Sequence, residues 1–544
     1  MKLVTVSEMR SIEQEADSNG LTYGQMMENA GTSLAEVVLD LLDENGDKPG
    51  VVGLVGPGNN GGDALVALSF LAAQGWRARA YLVNRPAEKD PLIERVRQAG
   101  GEIISSTLDK DHDMLKAFIG SASVVLDGIL GTGFKLPLKK EISEILQAVN
   151  SAISDLDWPP YVIAVDCPSG VNCDTGETAE DAIPASITVT MAAAKHGLVK
   201  FPAFEFVGDL QVADIGLSEE IVAWKNIHDE VADDSTILDI LPDRPDDSHK
   251  GTFGTALIAA GSVNYTGAAL LAGKSAYRVG AGLVRMALPG PLHIALAGQF
   301  PEATWLLLPH EMGVISSEAA EVLMKNIDRA TGILVGPGLG TEETTKGFLE
   351  NLITGRLTAR KSAGRIGFVH EEKNDGGGTS NTLPPMVVDA DGLRLLKKID
   401  GWEKLLPPRT VLTPHPGEMA ELTGSFVDEI QADRLGTAKS FASKWGQIVV
   451  LKGAFTVIAE PGGKATVIPV ATSALARAGT GDVLAGIIVG LLAQSVDPYS
   501  AAVAGAWIHA QAGLLAYDRV GSTASVLASD VVDSISDVLA ELVL

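Results

Sequence analysis

The segment 478–482 (AGTGD) combines two glycines with an acid at the point where an apolar helix is predicted to begin. Glycines at a helix start leave several backbone amides free, and such amides can stabilise a phosphoryl group during its transfer. Asp482 would lie beside these amides, where its carboxylate can accept a proton from an attacking hydroxyl. The same aspartate could also serve only to satisfy the amides of the helix N-terminus.

Two further motifs of the C-terminal half carry side chains suited to ligand binding. Lys452 follows the apolar run 448–451 in the segment LKGAFT, which is typical of a nucleotide-binding loop or of a solvent-exposed strand end. His415 stands between two prolines in LTPHPGE, where contact with a ligand and a turn-forming role are equally open. The remaining motifs of this half are HKGTFG (249–254), YTGAA (265–269), GPGLG (336–340) and DADGL (389–393).

In the N-terminal half, glycine-rich segments follow three predicted strands: GPGNNGGD (56–63), DGILGTG (127–133) and DCPSGVN (166–172). Because ligands of parallel α/β sheets bind at the carboxyl ends of the strands, we expect the three segments to converge on one crevice. The oxygen-bearing side chains of Asn60, Asp127 and Ser169 suit a hard monovalent or divalent cation. Each of the aspartates of these segments, Asp63, Asp127 and Asp166, could by itself cap a helix or a turn. The three together favour a binding site.

Alternating apolar strands and amphipathic helices must position these segments. In the N-terminal half, the predicted elements are strands over 51–55, 77–83, 123–126 and 161–165, and helices over 63–74, over 139–148 and from Ser7 into 26–31. In the C-terminal half, they are strands over 255–260, 283–288, 333–335 and 386–389, and a helix over 267–279. This alternation predicts an α/β fold with two domains, the first built on a doubly wound parallel sheet.

A charged, proline-rich stretch separates the two series. We predict a linker over 226–248, between domains that comprise residues 1–225 and 249–544. Residues 356–385 are polar, basic and rich in glycine, so they are predicted to form an exposed insertion in the second domain. A chain of 544 residues is longer than one hydrophobic core usually serves, which agrees with two domains.

Composition limits the partners and the location of the protein. The chain has 42 Lys and Arg against 69 Asp and Glu, a formal net charge of −27, which argues against a nucleic-acid partner. The longest apolar stretch, 483–493, is too short to span a bilayer, so we expect no membrane insertion. The two cysteines, Cys167 and Cys173, are too few for a cysteine metal site or a disulfide scaffold. We predict a cytoplasmic protein, and we expect a homo-oligomer.

The N-terminal motifs GPGNNGGD, DGILGTG and DCPSGVNCDTG resemble the signature of the NAD(P)H-hydrate epimerase domain. The resemblance implies a Rossmann-like fold and a potassium ion held by Asn60, Asp127 and Ser169. It also implies substrate contacts by Asn59, Asn60, Gly61, Gly62, Asp63, Gly131, Thr132, Gly133, Phe134 and Asp166. The chain departs from the family pattern at Ala64, where glycine is usual, and at Cys167, where isoleucine is usual.

The order of the C-terminal motifs resembles the ribokinase-like superfamily, and the motifs themselves resemble its NAD(P)H-hydrate dehydratase branch. The resemblance implies that Asp482 is the catalytic base. It implies substrate contacts by Ala268, Gly340, His415 and Asp482. Nucleotide contacts are implied for Lys452, Gly453, Ala454, Phe455, Thr456, Gly479, Thr480 and Gly481. By the same resemblance the nucleotide is ADP, or alternatively ATP, with Mg²⁺.

Together the two resemblances imply a bifunctional metabolite-repair enzyme that acts on the hydrated cofactors NADHX and NADPHX. The N-terminal domain would interconvert their R and S epimers, and the C-terminal domain would dehydrate the S epimer at the expense of the nucleotide. Asp166 is our candidate acid/base for epimerisation, with Lys195 as a second candidate. Two other functions stay open: a small-molecule kinase that uses Asp482 in the same way, and an N-terminal domain that only senses a nucleotide or binds a protein.

Overall fold

The structure is a computed structural model, and it describes residues 1–42, 49–355 and 383–543. The chain divides into two units, Met1–Val231 and Ala232–Leu544. The segment 226–248 was predicted to be a linker, but it contains the strand Asp229–Val231 and the helix Asp234–Ile240. This helix forms because Asp233 caps it, accepting a hydrogen bond of 2.9 Å from the amide of Thr236. Most of the predicted insertion, residues 356–382, lies outside the described residues.

The N-terminal unit is built on a parallel sheet. The strands of this unit are β1 (Leu3–Val4), β2 (Gly50–Val55), β3 (Arg77–Leu82), β4 (Glu102–Ser105), β5 (Val124–Gly128), β6 (Tyr161–Val165), β7 (Ile187–Met191), β8 (Ala194–Lys195), β9 (Asp209–Ala213) and β10 (Asp229–Val231). The helices are α1 (Val6–Ser18), α2 (Tyr23–Leu41), α3 (Asn59–Ala73), α4 (Pro91–Gln98), α5 (Asp113–Ile119), α6 (Lys140–Ser154), α7 (Phe204–Val207) and α8 (Val222–Lys225).

The order of strands in this sheet is β4-β3-β2-β5-β6-β7-β9, and every neighbouring pair is parallel. Successive residues of β2 point to opposite faces, so Val51 packs with α1, α2 and α3 while Val52 packs with α5 and α6. Helices therefore cover both faces, as predicted for a doubly wound, Rossmann-like sheet. The chain runs outwards in both directions from β2 and β5, which opens a crevice at their carboxyl ends.

Two helical predictions in this unit were wrong in their bounds. The helix predicted from Ser7 into 26–31 is two helices, because Gly20 adopts a left-handed φ of 103° and Thr22 begins α2 with a capping box. The helix predicted over 63–74 begins earlier, at Asn59, so the residues NNGGD form its first turn. The glycine-rich segment thus presents amides from a helix N-terminus rather than from an irregular loop.

The C-terminal unit is also α/β, as predicted. Its strands are β11 (Thr255–Ala259), β12 (Leu283–Pro289), β13 (Thr304–Leu308), β14 (His310–Glu311), β15 (Val314–Ile315), β16 (Gly332–Val335), β17 (Met386–Val388), β18 (Val411–Leu412), β19 (Ile448–Leu451), β20 (Val457–Ala459) and β21 (Ala465–Val467). Its helices are α9 (Asp234–Ile240), α10 (Thr266–Arg278), α11 (Gly290–Leu296), α12 (Ala319–Met324), α13 (Glu343–Thr354), α14 (Asp391–Leu396), α15 (Pro416–Thr423), α16 (Val427–Ala432), α17 (Arg434–Trp445), α18 (Thr480–Ala493), α19 (Pro498–Val520) and α20 (Ala528–Val543).

The main sheet of this unit has the strand order β21-β20-β19-β18-β17-β16-β11-β12-β13. The strands from β19 to β13 are parallel, whereas β20 and β21 are antiparallel to their neighbours. Helix α18 is buried around most of its circumference between the sheet, α10 and α19, which explains the apolar run 483–493. Within the described parts of the chain, no helix is both long and apolar enough to cross a membrane.

Candidate active site

The N-terminal unit contains a cavity of about 500 Å³ at the carboxyl ends of β2, β5 and β6. Its walls come from the start of α3, the segment after β5, Asp166 and one face of α1. Backbone segments cross closely beneath it, because a Cβ on Gly56 would lie only 1.9 Å from the carbonyl oxygen of Ile129. A side chain at this glycine would therefore push apart the two strand ends that form the cavity floor.

Asp166 and Lys195 form a buried ion pair at the edge of this cavity. The ammonium group of Lys195 donates to Asp166 Oδ1, to Thr190 Oγ1 at 2.9 Å and to the carbonyl of Met191 at 3.0 Å. Asp166 Oδ1 also accepts a hydrogen bond of 3.0 Å from the amide of Met191. Asp166 has a left-handed φ of 67°, a strained conformation for a residue with a side chain and one that often marks functional sites. The carboxylate is thus held in one orientation from two sides.

Two more acids line the same cavity, Glu13 on α1 and Asp63 on α3. Burial raises the pKa of Asp63 well above its usual value, and the charges of Asp166 and Glu13 raise it further. Burial also raises the pKa of Glu13, with Asp166 as the second cause. The cavity therefore holds interacting carboxyl groups, and burial favours the neutral forms of Asp63 and Glu13.

Asp127 and Ser169 lie beneath the cavity, and both are fully buried. Ser169 donates to the Asp127 carboxylate from its hydroxyl at 2.6 Å and from its amide at 2.7 Å. Burial raises the pKa of Asp127 to about 6, although the hydrogen bonds from Ser169 oppose this shift. No lysine or arginine among the described residues pairs with this carboxylate, which leaves its charge uncompensated. A buried carboxylate beside a hydroxyl, with no cationic side chain paired to it, is a fitting environment for a cation.

In the C-terminal unit, Asp482 lies in the first turn of α18, where Gly479 precedes the helix with a left-handed φ of 93°. Burial raises the pKa of Asp482 to about 7, and the charge of Asp389 raises it while that of Lys452 lowers it. A carboxylate with this pKa can accept a proton near neutral pH and release it again. Asp482 therefore lies in the first turn of the helix, and its raised pKa suits it to proton transfer.

Lys452 links Asp482 to a group of acids at the ends of neighbouring strands. Its Nζ lies 2.7 Å from Asp389 Oδ1, after β17, and 3.8 Å from Glu418 Oε2, on α15. Burial alone would lower the pKa of Lys452, but the charges of Asp389 and Glu418 outweigh it and raise that pKa. Lys452 therefore stays protonated. Its Nζ lies beside the start of α18, 3.4 Å from the position that a Cβ on Gly481 would occupy.

A cavity of about 440 Å³ adjoins this helix start. One side is polar, with His415, Lys452, Thr456 and Gly481, and the other is mainly apolar, with Ile468, Val470, Leu484, Ala506 and Ala510. The segment 452–456 connects the antiparallel strands β19 and β20, whose ends pair as Leu451 with Val457. The shape and polarity fit a nucleotide whose base occupies the apolar side and whose phosphates meet the helix amides.

His415 caps α15 and lies at the mouth of this cavity. Its Nδ1 accepts hydrogen bonds from the amides of Gly417 at 3.0 Å and Glu418 at 3.1 Å. Its Nε2 lies 3.4 Å from Glu418 Oε1. The two interpretations left open by the sequence are therefore combined, since this histidine both forms the turn and lines a ligand cavity.

Comparison with known proteins gives matches for both halves. Residues 256–359 and 378–537 match the NAD(P)H-hydrate dehydratase family, and residues 23–197 match the family described as YjeF-related protein N-terminus. The bifunctional NAD(P)H-hydrate repair enzyme Nnr of Moorella thermoacetica is 33% identical over 552 residues, which cover 100% of this chain and 97% of that protein. The chain belongs to the family of bifunctional NAD(P)H-hydrate repair enzymes. Both resemblances drawn from the motifs are thereby confirmed.

Other members of the repair-enzyme family show similar agreement. The Nnr proteins of Salinibacter ruber and Escherichia coli are 34% and 31% identical, over 96% and 97% of this chain and 93% and 92% of their own. Among solved structures, the ADP/ATP-dependent NAD(P)H-hydrate dehydratase of Bacillus subtilis, co-crystallised with ATP and Mg²⁺, is 30% identical. That likeness covers 57% of this chain and 98% of the other, with a TM-score of 0.46.

Most of the predicted epimerase residues lie together in the N-terminal unit. The cavity is lined by Asn59, Asn60, Gly61, Asp63, Gly131, Thr132, Gly133, Phe134 and Asp166. Gly62 does not line it: a Cβ there would lie 2.7 Å from Met27 Cε, because this glycine lets α3 pack closely against α2. Asp127 and Ser169 lie below the floor and are joined by a hydrogen bond from the Ser169 hydroxyl, and their role as ligands of one ion stays a prediction.

The predicted dehydratase residues divide into those on the nucleotide cavity and those near it. His415, Lys452, Gly453, Ala454, Thr456, Thr480 and Gly481 line the cavity. Phe455 and Gly479 do not: Phe455 is buried in the connection with a left-handed φ of 51°, and Gly479 precedes α18. Gly340 lies beside the acidic group, since its amide donates to Asp391 Oδ2 at 3.0 Å. Ala268 lies on α10.

Several residues of the two sites were not predicted. Arg10 and Glu13 line the epimerase cavity from α1, and His509 lines the nucleotide cavity from α19. A signal existed for Glu13, because it follows Ile12 and lies one turn from Met9 at the margin of the buried face of α1. His509 gave a weaker signal, a single histidine in a mainly apolar helix, which is more often a packed core residue.

Proposed function

We propose that the C-terminal unit dehydrates the S epimer of hydrated NAD(P)H at the expense of ADP or ATP, and that the N-terminal unit interconverts the R and S epimers. Membership of the bifunctional family supports both activities. The observation that carries the assignment of residues is the position of Asp482 in the first turn of α18, with a pKa raised to about 7 and in charge interaction with Lys452, which lines the nucleotide cavity.

In the dehydratase, Asp482 removes the proton from the C6 hydroxyl of the hydrate as the hydroxyl attacks the terminal phosphoryl group of the nucleotide. The amides at the start of α18 and the ammonium of Lys452 stabilise the negative charge of that group during transfer. The new C6–O–phosphate bond then breaks, phosphate leaves, and loss of the C5 proton restores the ring double bond. His415, at the mouth of the nucleotide cavity, and Gly340, beside Asp391, are the proposed contacts of the hydrated nicotinamide.

The nucleotide is proposed to be ADP, with ATP as the alternative, bound by Lys452 to Thr456 and by Gly481. Mg²⁺ would accompany it on the phosphate oxygens and reduce their charge. Among the described residues, no group of three or more His, Cys, Asp or Glu is arranged to hold a metal ion by itself. A magnesium ion carried by the nucleotide agrees with that arrangement better than a site built from protein carboxylates alone.

In the epimerase, Asp166 is the proposed acid/base, with Lys195 as its partner. The C6 hydroxyl leaves as the ring nitrogen lone pair forms an iminium, and water returns to the opposite face of the ring. Asp166 is held towards the cavity by Lys195 and the amide of Met191, so it can exchange a proton with the hydroxyl or the water. A potassium ion at Asn60, Asp127 and Ser169 would supply positive charge beneath the cavity floor and fix the position of the DGILGTG segment.

The remaining features of the proposal concern partners and location. NADHX and NADPHX are the proposed substrates, and no part of the mechanism needs a nucleic acid or a membrane. A cytoplasmic location and a homo-oligomeric state remain predictions, which fractionation and light scattering would test. The kinase alternative predicts a phosphorylated product that persists, whereas the dehydratase releases inorganic phosphate.

The decisive experiment supplies the full chain with an epimeric mixture of NADH hydrate, magnesium, potassium and ADP, and follows the absorbance of the reduced nicotinamide. Complete conversion with release of phosphate is expected, and ATP is then substituted to decide the nucleotide. Asp482→Asn should slow the dehydration of the S epimer by about 10²- to 10⁴-fold without unfolding the protein. Conversion that stops at the fraction of one epimer would contradict the epimerase. A lasting phosphorylated product would replace the dehydratase with a kinase.

A further inference from the structure

Asp63 is nine-tenths buried, at 6% exposure, yet its carboxyl group has no hydrogen-bond partner among the described residues. It lines the cavity of about 500 Å³ and also an adjoining one of about 220 Å³. Buried polar groups are nearly always paired within the protein or with a ligand. A carboxyl group that faces two cavities without a partner is therefore placed to bind or react with the substrate.

The charges around Asp63 indicate which form of the carboxyl group is present. Glu13 faces it from α1 and Asp166 from the end of β6, while Lys195 and Arg85 provide the opposing charges. Lys195 is already bound to Asp166, and Arg85 to Asp90 at 2.8 Å. Asp63 is the more buried of the two carboxyl groups in this cavity that have no cationic partner. Burial and the neighbouring negative charges therefore favour the protonated form of Asp63.

We propose that Asp63 is the second proton carrier of the epimerase, donating a proton to the departing hydroxyl while Asp166 takes one from the entering water. This inference rests on the proposed epimerase function. Asp63 is carried by the helix after β2 and Asp166 by the end of β6, with β5 between those strands. Two carriers that follow different strands can serve the two faces of a flat ring, so that each face has its own proton carrier.

The step balances as follows from one epimer to the other. The carboxyl proton of Asp63 moves to the hydroxyl oxygen as the C6–O bond breaks, the nitrogen lone pair forms the C=N bond, and water leaves. A water molecule then attacks C6 from the other face, its proton passes to the Asp166 carboxylate, and the nitrogen regains its lone pair. Each passage moves one proton from Asp63 to Asp166, so the enzyme is left ready for the reverse reaction.

Repeated turnover in one direction therefore requires the proton to return. Glu13 lines both cavities, and its charge interacts with those of Asp63 and Asp166. Burial raises the pKa of Glu13, so it takes up a proton more readily than an exposed glutamate does. Glu13 is accordingly a positioning and relay residue, through which the two carriers can recover their starting states.

The test measures conversion of purified R epimer of NADH hydrate to the S epimer by chromatography, with no nucleotide present, so that the dehydratase is silent. Asp63→Asn keeps the shape of the neutral carboxyl group but cannot donate its proton. We expect kcat to fall by about 10²-fold or more while KM changes little, and the alkaline limb of the pH profile to disappear. Asp109→Asn is the matched control, because Asp109 is equally buried at 6% exposure and lies outside the cavity.

The outcomes separate this inference from the proposed function. Loss of activity in Asp166→Asn with an unchanged rate in Asp63→Asn would leave the epimerase standing and overturn the role of Asp63. A raised KM with unchanged kcat in Asp63→Asn would make Asp63 a binding residue only. A wild-type rate no faster than the spontaneous one would refute the epimerase itself. If Asp63→Asn does not fold, infrared spectra of the Asp482→Asn variant, which lacks the other carboxyl group that titrates near pH 7, should still show a protonated carboxyl group at neutral pH, and its absence would overturn the inference.

Discussion

Lys195 donates to Asp166 with only 1% of its side-chain surface exposed, so the ammonium group has exchanged water for one carboxylate, one hydroxyl and one carbonyl. Such a pair stabilises a protein little compared with a well-packed apolar pair, because both charges lose their hydration. Removing one partner is much more costly, since the other charge is left buried. The pair therefore has a function in orienting Asp166 rather than in stability alone.

Lys195→Met should lower the free energy of unfolding by about 3 to 5 kcal/mol, because it leaves the Asp166 carboxylate buried without a counter-charge. The double variant Lys195→Met with Asp166→Asn should recover part of this loss, as neither group is then charged. Chemical denaturation of the four proteins of this cycle measures the coupling. Additive losses in the double variant would mean that the two groups do not interact in solution.

Gly131→Ala should impair the epimerase, because the added Cβ would lie 2.6 Å from Asn60 Oδ1, a proposed potassium ligand. A displacement of this size can reduce the rate by up to about 10²-fold, and a higher potassium concentration should be needed for half-maximal rate. Gly24→Ala, on α2 and outside the cavity, is the control, since its Cβ would meet nothing closer than Thr22 Oγ1 at 4.0 Å. Equal activity of the two variants would argue against Asn60 as a ligand.

The dehydratase rate should fall as the pH drops through about 7, because Asp482 acts as a base and must lose its proton first. Asp391→Asn removes one of the negative charges that raise this pKa, so the acid limb should shift to lower pH. Asparagine can still accept the hydrogen bond from Gly340, which makes the change conservative. The pH profile of kcat for the S epimer is the measurement. An acid limb that stays in place would exclude Asp482 as the titrating group.

His509 should make the C-terminal unit sensitive to acid. Burial lowers its pKa from 6.5 to about 4, so the unfolded chain takes up a proton at a higher pH than the folded chain does. Stability is therefore retained above about pH 6.5 and lost as the pH falls towards 4, by up to about 3 kcal/mol. The stability of the His509→Leu variant should fall less than that of the wild type as the pH is lowered. Chemical denaturation at several pH values gives the free energy of unfolding of the wild type and of His509→Leu. The same dependence of this free energy on pH in both proteins would refute the prediction.

The sequence predicted the strands that end at the sites, because each is a short apolar run followed directly by glycine and a polar residue. It also predicted the meeting of the segments after β2, β5 and β6, since parallel strands share one edge at their carboxyl ends. The motif resemblance supplied the identity of the ligands. These predictions depend on local patterns and on the general geometry of α/β sheets.

Other parts of the sites depend on contacts between distant segments. Glu13 reaches the epimerase cavity because α1 packs across the ends of the strands, and its position beside the buried face of α1 does not by itself indicate which cavity that face borders. The helix α3 was predicted to begin only at residue 63, because glycine and asparagine are poor helix formers and no side chain caps the start of this helix. The linker prediction failed for a related reason, as the charges of 226–248 concealed a capped helix.

The connection 452–456 is closed at its base by the pairing of Leu451 with Val457 in antiparallel strands. A segment tied at both ends has already lost most of its backbone freedom before a nucleotide arrives. Little ordering entropy then opposes association, and encounter need not wait for the protein to rearrange. This half of the molecule should therefore capture its nucleotide as a nearly rigid receptor.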